Sequence, residues 1–419
     1  MSSRSFSPTS NSSTIDEIAR INLGRIPERV RLKYERMSED VFAFFRGTDH
    51  LFARNWASGL RPVDPGPNLL QCGDLHLENF GIYLTEAREL LFDINDFDEA
   101  LVAPAGFDIT RCLTSILLAA DVWKLSSVRA ERIAVAFLDR YRHALGELAD
   151  PDSSQELRAG QGQGPVFKLL GEAAACTQKE LLNSQTRIGK DNQPRIRGRK
   201  GAHPQLLKAE RQEVIRALNA YAQTTQTPDA YKVLSARGRV AGIGSLGVPR
   251  YLVLTWGTGS PDGYWLLDLK QAIPSSVRPF LGVQPEETWT TEVERILEAQ
   301  RRLLPHPPAG LGAAQIQGQD FRIRAMIPAE NRARLSAFRH QIHKLSHAVL
   351  MAGDLTGWSQ TRGARYLNEK RYHQLTKWAV GPGLESTLAT AIRHANQTRD
   401  AYCEFLDAFK LADPRLSQP

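Results

Sequence analysis

The sequence has little cysteine and no long apolar run, and both shortages restrict the classes of protein that it can encode. Its 419 residues include four cysteines, none in a Cys-x-x-Cys spacing, so we expect neither a disulfide framework nor a zinc ribbon. A run of about eighteen apolar residues is absent, so no membrane partner is expected. Residues 1–14 are rich in Ser, Thr and Asn and lack an apolar signal core, which predicts a disordered tail on a cytoplasmic protein.

The composition favours a folded protein that binds an anionic ligand. An apolar content of 42% is ample for a core, and the length favours two lobes or two domains. The net charge of +7 suits a nucleotide, and it also suits weak adhesion to nucleic acid or acidic lipid, so charge alone does not choose between them. Residues 187–200 are strongly basic and predict a solvated, mobile loop, with recognition of an anionic substrate as the alternative. No aromatic residues are interleaved for base stacking, so nucleic acid is not favoured as a partner.

The densest polar chemistry lies in residues 73–81 and 91–99. Asp74 and Asn79 have the Asp-x-x-x-x-Asn spacing with which a phosphotransferase loop points one residue at an acceptor hydroxyl and another at magnesium. His76 stands between them and is expected to support the loop by hydrogen bonds. Short strands at residues 82–84 and 90–92 should return the chain so that Asp96 lies beside Asn79.

This arrangement predicts a magnesium site, because the ion prefers oxygen ligands from one or two carboxylates plus substrate phosphates. Asn79 and Asp96, with Asp98 assisting, would supply the protein ligands. The alternative is that these acids form turns and face water. Asp74-x-His76 also resembles the start of a two-metal phosphatase site, but that chemistry needs a second cluster of His and Asp, which the sequence lacks.

A second polar region lies in residues 231–272, where three strand-like runs surround a glycine-rich turn. Gly242, Gly244 and Gly247 are followed by another β-rich run rather than by the helix of a dinucleotide fold. Strand, glycine turn, strand and a further strand ending in Lys270 is the order of a kinase phosphate flap. Glu298, on a predicted helix, is the chosen partner for Lys270. The alternatives are a flexible hairpin and an exposed lysine.

Three other features allow more than one interpretation. Arg46, set among aromatic residues, could bind phosphate or pair with a buried carboxylate. Asp108 could cap the helix that follows it or pair with Arg111. His340, His343 and His347 share helical spacing, but no acidic or cysteine ligand accompanies them, so a metal site is not expected there.

These motifs carry a family resemblance. Gly73-Asp74-Leu75-His76-x-x-Asn79 with residues 95–99 resembles the catalytic and metal motifs of aminoglycoside and choline kinase-like phosphotransferases. Together with residues 45–47 and 270–272, they more closely resemble the bacterial domain-of-unknown-function family 2252, over roughly residues 36–411. The resemblance implies that Asp74 is the base or orients the hydroxyl. It also implies that Asn79 and Asp96 bind magnesium.

The same resemblance assigns the glycine turn to the phosphates, with Lys270 bridging them and Glu298 fixing Lys270. It implies an α+β, two-lobed, protein kinase-like fold. Because the catalytic loop precedes the flap, the reverse of the usual kinase order, a circular permutation is expected. We therefore predict a helical lobe from residues 15–225 and 329–419 and a β-rich nucleotide lobe from residues 226–328. A helix ending at residues 345–348 should then lie beside strand 69–72.

The function expected from these features is transfer of the γ-phosphoryl group of magnesium-bound ATP to an unknown hydroxyl of a small-molecule or protein acceptor. Two alternatives remain open. One is a nucleotidyl transferase that moves AMP on the same fold. The other is a nucleotide-binding scaffold without turnover.

Overall fold

The computed structural model describes residues 13–150, 154–260, 262–327 and 335–417, which form a mixed α+β structure. Residues 1–12 of the predicted tail and part of the predicted boundary at residues 328–329 lie outside this range. Ser13 caps the first helix through the backbone N–H of Asp16, and Thr14 begins that helix, so the end of the predicted tail is helical. Across the described part of the chain, no helix combines the length and apolar character needed to cross a membrane.

The chain opens with helices that lead to a pair of small antiparallel sheets. The first helix ends at Ile21 and the second begins at Pro27, because proline suits the first position of a helix. Predicted strands near residues 69–72, 82–84 and 90–92 are all confirmed. These elements are α1 Thr14–Ile21, α2 Pro27–Met37, α3 Val41–Gly47, α4 Asp49–Ala57, β1 Asn68–Gln71, β2 Phe80–Leu84, β3 Leu90–Ile94 and β4 Leu101–Pro104. β1 pairs with β4, and β2 pairs with β3.

Long helices from both ends of the sequence build the largest apolar core. Ile109, Leu113 and Ile116 lie on one stripe of a helix and are all buried there. The helices are α5 Gly106–Val122, α6 Ser127–Glu147, α12 Ile342–Leu367, α13 Glu369–Ala379 and α14 Pro382–Lys410. The short α15 Pro414–Ser417 packs in a separate apolar cluster with α1. α12 packs along α6 and β1.

The predicted approach of a late helix to strand 69–72 occurs, but through different residues. α12 continues to Leu367 instead of ending at residues 345–348. Its contact with β1 is made by Gln360, which donates to Gln71 Oε1 at 3.1 Å, and by Gly363, which lies against the carbonyl of Leu70. Glycine allows this distance because it has no Cβ.

A five-stranded antiparallel sheet forms the second part of the structure, in the order β11-β12-β10-β9-β8. One face carries apolar side chains, including Val253, Leu269 and Ile323, that pack with α9. The opposite face carries charged residues on three neighbouring strands. The elements are α9 Lys208–Ala222, β8 Val233–Gly238, β9 Arg250–Thr255, β10 Trp265–Gln271, α11 Glu292–Leu303, β11 Gly312–Ile316 and β12 Gln319–Ala325.

The basic segment predicted as a mobile loop is partly a hairpin. β6 pairs with β7 across a turn in which Asn192 adopts a positive φ. Ile196 is buried with Leu252 and Leu254 of the large sheet, which anchors the hairpin. The remaining elements are β5 Leu157–Arg158, α7 Pro165–Ala174, α8 Gln178–Gln185, β6 Thr186–Ile188, β7 Pro194–Ile196 and α10 Arg278–Leu281.

Candidate functional site

A single cavity lies between the charged face of the large sheet and residues 73–99 of the helical body. Seven Arg or Lys and five Asp or Glu residues line it, with few apolar side chains. Asp74, His76, Asn79, Asp96, Asp98, Gly242, Gly244 and Lys270 all line this cavity. Two tracts that are far apart in sequence therefore meet at one polar site.

Gly73 allows the loop of residues 73–81 to pass close to residues 91–99, the acidic segment. Its φ is +79°, and a Cβ at this position would lie 2.1 Å from the carbonyl oxygen of Glu99. A side chain is therefore excluded both by the backbone conformation and by the available space. Asp108 supports the same turn, because its Oδ2 accepts hydrogen bonds from the backbone N–H groups of Cys72 and Gly73. It performs neither of its two predicted roles, since the helix has no side-chain cap and Arg111 pairs elsewhere.

Asp74 is held by a fully buried arginine. Arg111 Nε donates to Asp74 Oδ1 at 2.7 Å, and the same nitrogen lies 2.9 Å from Asp49 Oδ1. Burial raises the pKa of Asp74, and the charge of Arg111 opposes that rise. The side chain retains 22% exposure to the cavity. Asp74 is thus an oriented carboxylate with increased basicity. The sequence did not indicate Asp49, which has no local pattern of its own.

His76 lies beside Asp74 without forming a hydrogen bond to it. The distance from His76 Nε2 to Asp74 Oδ2 is 3.7 Å, longer than a hydrogen bond. Burial, and after it the charges of Arg46 and Arg111, lower the pKa of His76 well below its usual value, so the ring is neutral. The ring packs edge-on against Phe42. The His76 side chain therefore supports the loop by packing against Phe42, and not by the hydrogen bonds that the sequence predicted.

Asn79 joins the loop of residues 73–81 to the acidic segment. Its Oδ1 accepts a hydrogen bond from Asp96 N at 2.7 Å, while its Nδ2 donates to the carbonyls of Asp74 and Asp96, each at 3.0 Å. The predicted approach of Asp96 to Asn79 is present. Because Oδ1 already accepts from the backbone, Asn79 positions Asp96 and has one remaining lone pair for another partner.

Lys270 meets two carboxylates from the opposite side of the cavity. Its Nζ lies 3.1 Å from Asp96 Oδ2 and also pairs with Asp98. Burial works against ionisation of Asp96, but Lys270 and then Arg322 hold its pKa below the usual value. Burial and the charge of Asp96 raise the pKa of Asp98. The two acids therefore differ in proton affinity while sharing one ammonium group.

The donor set is compatible with a cation that keeps water or substrate oxygens. Asp96 is 55% exposed and Asp98 20% exposed, so both carboxylates are accessible from the cavity. Among residues 13–150, 154–260, 262–327 and 335–417, no group of three or more His, Cys, Asp or Glu is arranged to hold a metal ion. Magnesium needs fewer protein ligands than that when phosphates complete its shell.

Two of the three predicted loop glycines line the cavity. Gly247 lies behind it, where its carbonyl accepts from Ile26 N at 2.9 Å. The loop is held by α2 and the turn before it: Arg36 donates to the carbonyl of Gly242 at 2.8 Å, and Lys33 donates to that of Gly244 at 3.1 Å. The glycine segment is thus a tethered loop and not the flexible hairpin that was its alternative interpretation.

Glu298 is not part of this site. It accepts a hydrogen bond from Arg302 at 2.7 Å, one turn along the exposed side of α11, while Lys270 pairs with Asp96 and Asp98. The side of α11 that faces the site carries Arg295, which is 1% exposed and donates to the carbonyls of Ala100 and Asp98, each at 2.7 Å. The prediction that Glu298 pairs with Lys270 was wrong, because the side of α11 that faces the acidic segment carries a buried arginine instead.

Arginines that sequence reasoning did not assign complete the cavity wall. Arg239 and Arg250 both pair with the buried Asp268, at 2.8 and 2.6 Å. Arg322 lies beside them. Arg46, for which the sequence left phosphate binding or pairing with a buried carboxylate open, lines the same cavity. The polar face of β12 points into the cavity. The signal that could have found it is the matching alternation of Asp268 and Lys270 on the neighbouring strand.

Comparison with known proteins identifies a family. A model described as "Uncharacterized protein conserved in bacteria (DUF2252)" matches residues 25–408. No curated protein and no solved structure matches the chain. The matched segment covers most of the chain and contains every residue of the cavity described above. The chain belongs to the DUF2252 family of proteins conserved in bacteria.

Proposed function

We propose that this chain is a magnesium- and ATP-dependent phosphotransferase with a two-lobed, circularly permuted kinase-like fold. The observation that carries the proposal is the meeting of Lys270 with Asp96 and Asp98 in a cavity also lined by Asp74 and Gly242. Phosphoryl transfer depends mainly on alignment and charge neutralisation, and this cavity offers groups for both.

Asp74 is suited to act on the acceptor hydroxyl. Arg111 fixes its Oδ1, which leaves Oδ2 to accept the hydroxyl proton as the acceptor oxygen bonds to the γ-phosphorus and the bond to the ADP oxygen breaks. Burial raises the pKa of Asp74, which favours a proton acceptor. Neutral His76 beside it adds no charge that would oppose this role.

The acidic pair and the glycine loop are assigned to the nucleotide. Asp96 and Asp98 would hold magnesium, with Asn79 orienting Asp96 through its backbone. When bound, the ion supplies positive charge to the β- and γ-phosphate oxygens. Lys270 neutralises the phosphates from the sheet, and Gly242 and Gly244 allow the backbone to approach them closely.

Two contacts support the permuted order. α12 lies against β1 through Gly363, which places a late helix beside the strand that feeds the catalytic loop. Arg415, near the end of the described chain, donates a hydrogen bond to Oδ1 of Asp16, near its beginning, at 3.0 Å. Neighbouring ends on the surface are the condition under which circular permutation is tolerated.

Calorimetry with magnesium and ATP tests the nucleotide site. Wild-type protein should bind with measurable heat, and Asp96→Asn should bind at least tenfold more weakly because the magnesium site loses a charged ligand. Asp139→Asn, at a 64% exposed position on α6, is the matched control and should bind like wild type. Equal heats for wild type and Asp96→Asn would remove the metal assignment.

Product mass separates the enzymatic alternatives. Incubation with ATP and cell extract should add one phosphate to an acceptor, and Asp74→Asn should abolish this while retaining ATP binding. Addition of one nucleotide would instead indicate AMP transfer. ATP binding that is unaffected by Asp74→Asn, with no labelled product from any extract, would indicate a non-catalytic scaffold.

A further inference from the structure

The charged face of the large sheet carries a row of cations across three neighbouring strands. Arg250 of β9 and Arg322 of β12 are both register partners of Lys270 on β10. All three line the cavity. Side chains at paired positions point to the same face, so the row presents its positive charge to a single ligand. Lys270 also faces Asp96 and Asp98 across the cavity.

Behind this row, one carboxylate faces three guanidinium groups. Asp268 is fully buried and lies 2.6 Å from Arg250, 2.8 Å from Arg239 and 3.7 Å from Arg322. The cavity lining carries seven Arg or Lys and five Asp or Glu residues, so positive charge remains in excess after Asp268 is counted. Removing excess charge from water costs free energy unless an opposite charge offsets it. The cavity is therefore electrostatically suited to a bound anion.

Arg322 has unused hydrogen-bonding capacity at this place. It is 3% exposed, and its Nε has no hydrogen-bond partner among the residues that the structure describes. It pairs with Asp268 at 3.7 Å, a distance too long for a hydrogen bond. A buried guanidinium donor is costly to leave unpaired, and planar oxyanions are its preferred partners. Since Arg322 lines the cavity, a ligand that enters the cavity can supply the missing acceptor.

We propose that Arg239, Arg250 and Arg322, held by Asp268, form a polyphosphate subsite that binds without a metal ion. Phosphate oxygens fit because several arginine donors converge on one place, and a phosphate offers more acceptor oxygens than a single carboxylate. A chain of phosphates fits because Arg322, Lys270 and Arg250 stand on three neighbouring strands and line the same cavity as Gly242 and Gly244. This subsite deepens the proposed function. It rests on that function only where the bound phosphates are assigned to the nucleotide.

Tripolyphosphate in the presence of EDTA is the direct probe, because it has neither a base nor a metal ion. Wild-type protein should bind it in calorimetry, and more tightly than inorganic phosphate. Arg322→Gln should weaken binding at least tenfold, while Asp96→Asn should bind as tightly as wild type or more tightly, because a nearby negative charge is lost. Arg216→Gln, at a 69% exposed position, is the matched control and should have no effect.

A purely structural role for the cluster gives a different result. No binding by wild type in EDTA, equal affinity of wild type and Arg322→Gln, or equal affinity for inorganic phosphate and tripolyphosphate would each overturn the proposal. Folding of each variant is checked by circular dichroism. If Arg322→Gln does not fold, Arg322→Lys, which keeps the charge but removes the planar fork, should weaken tripolyphosphate binding and increase its salt dependence.

The metal-free binding experiment and the product-mass assay with ATP together separate this inference from the proposed function. Metal-free binding of tripolyphosphate without any phosphoryl transfer would contradict the phosphotransferase and retain the subsite. Phosphoryl transfer without metal-free binding would retain the enzyme and overturn the subsite.

Discussion

At the level of single residues, Asp93 is the clearest source of pH-dependent stability outside the cavity. It is 2% exposed on β3, and burial raises its pKa to about 7, although Arg362 opposes the rise. The folded state therefore binds more protons than the unfolded state between about pH 4 and pH 7. Stability should fall as pH rises through that window, because ionised Asp93 is disfavoured in the fold.

Replacing Asp93 by Asn removes this penalty and keeps an oxygen to accept from Ile94 N. Asp93→Asn should increase the free energy of unfolding at pH 8 by up to about 4 kcal/mol and change it little at pH 4. Urea denaturation of both proteins at the two pH values measures the difference. An equal change at pH 4 and pH 8 would contradict the assigned pKa.

Single residues were predictable where the signal was local in sequence. Asp74, Asn79 and Asp96 lie within one hairpin, so spacing alone indicated their meeting, and the hydrogen bonds of Asn79 show it. Asp49 and Arg111 escaped assignment because their role depends on a buried contact between separate helices. No composition or periodicity reports such a contact.

At the level of elements, the crossing of α12 over β1 depends on one glycine. A Cβ at Gly363 would lie 1.9 Å from the carbonyl oxygen of Leu70. Gly363→Ala should therefore force the helix away from the strand and lower the free energy of unfolding by about 3 kcal/mol or more. Gly171→Ala is the matched control, since no atom lies within 4 Å of its added Cβ. It should be neutral or stabilise α7 by roughly 0.5–1 kcal/mol.

Urea denaturation of the two glycine variants compares the same chemical change at crowded and open helical positions. Similar changes in stability for both variants would contradict the close contact between α12 and β1. A loss confined to Gly363→Ala would also show that this contact stabilises β1, the strand before the loop of residues 73–81.

Elements with strong periodicity were predicted well, and those set by remote contacts were not. The strands around residues 233–271 follow alternating apolar residues, whose apolar face packs with α9. The hairpin at residues 186–196 was missed because its polar composition is typical of loops, while its anchor, Ile196, contacts a strand that comes later in the sequence. The attachment of α2 to the glycine loop likewise joins residues more than two hundred positions apart.

At the level of the whole molecule, the cavity exists because two parts of the fold face each other with opposite charge. The sheet presents Lys270 and the arginines, and the helical body presents Asp96 and Asp98. The order of the motifs in the sequence predicted that these two parts of the fold would meet. It could not indicate which residues complete the cavity wall, because no local pattern distinguishes Arg239, Arg250 and Arg322 from exposed arginines.

Crystallography with a nonhydrolysable ATP analogue and magnesium tests the central claim most directly. The account predicts the triphosphate between Lys270 and the acidic pair, magnesium on Asp96 and Asp98, and the γ-phosphate facing Asp74. Density for the analogue at another surface, or an empty cavity at saturating analogue and magnesium, would contradict it.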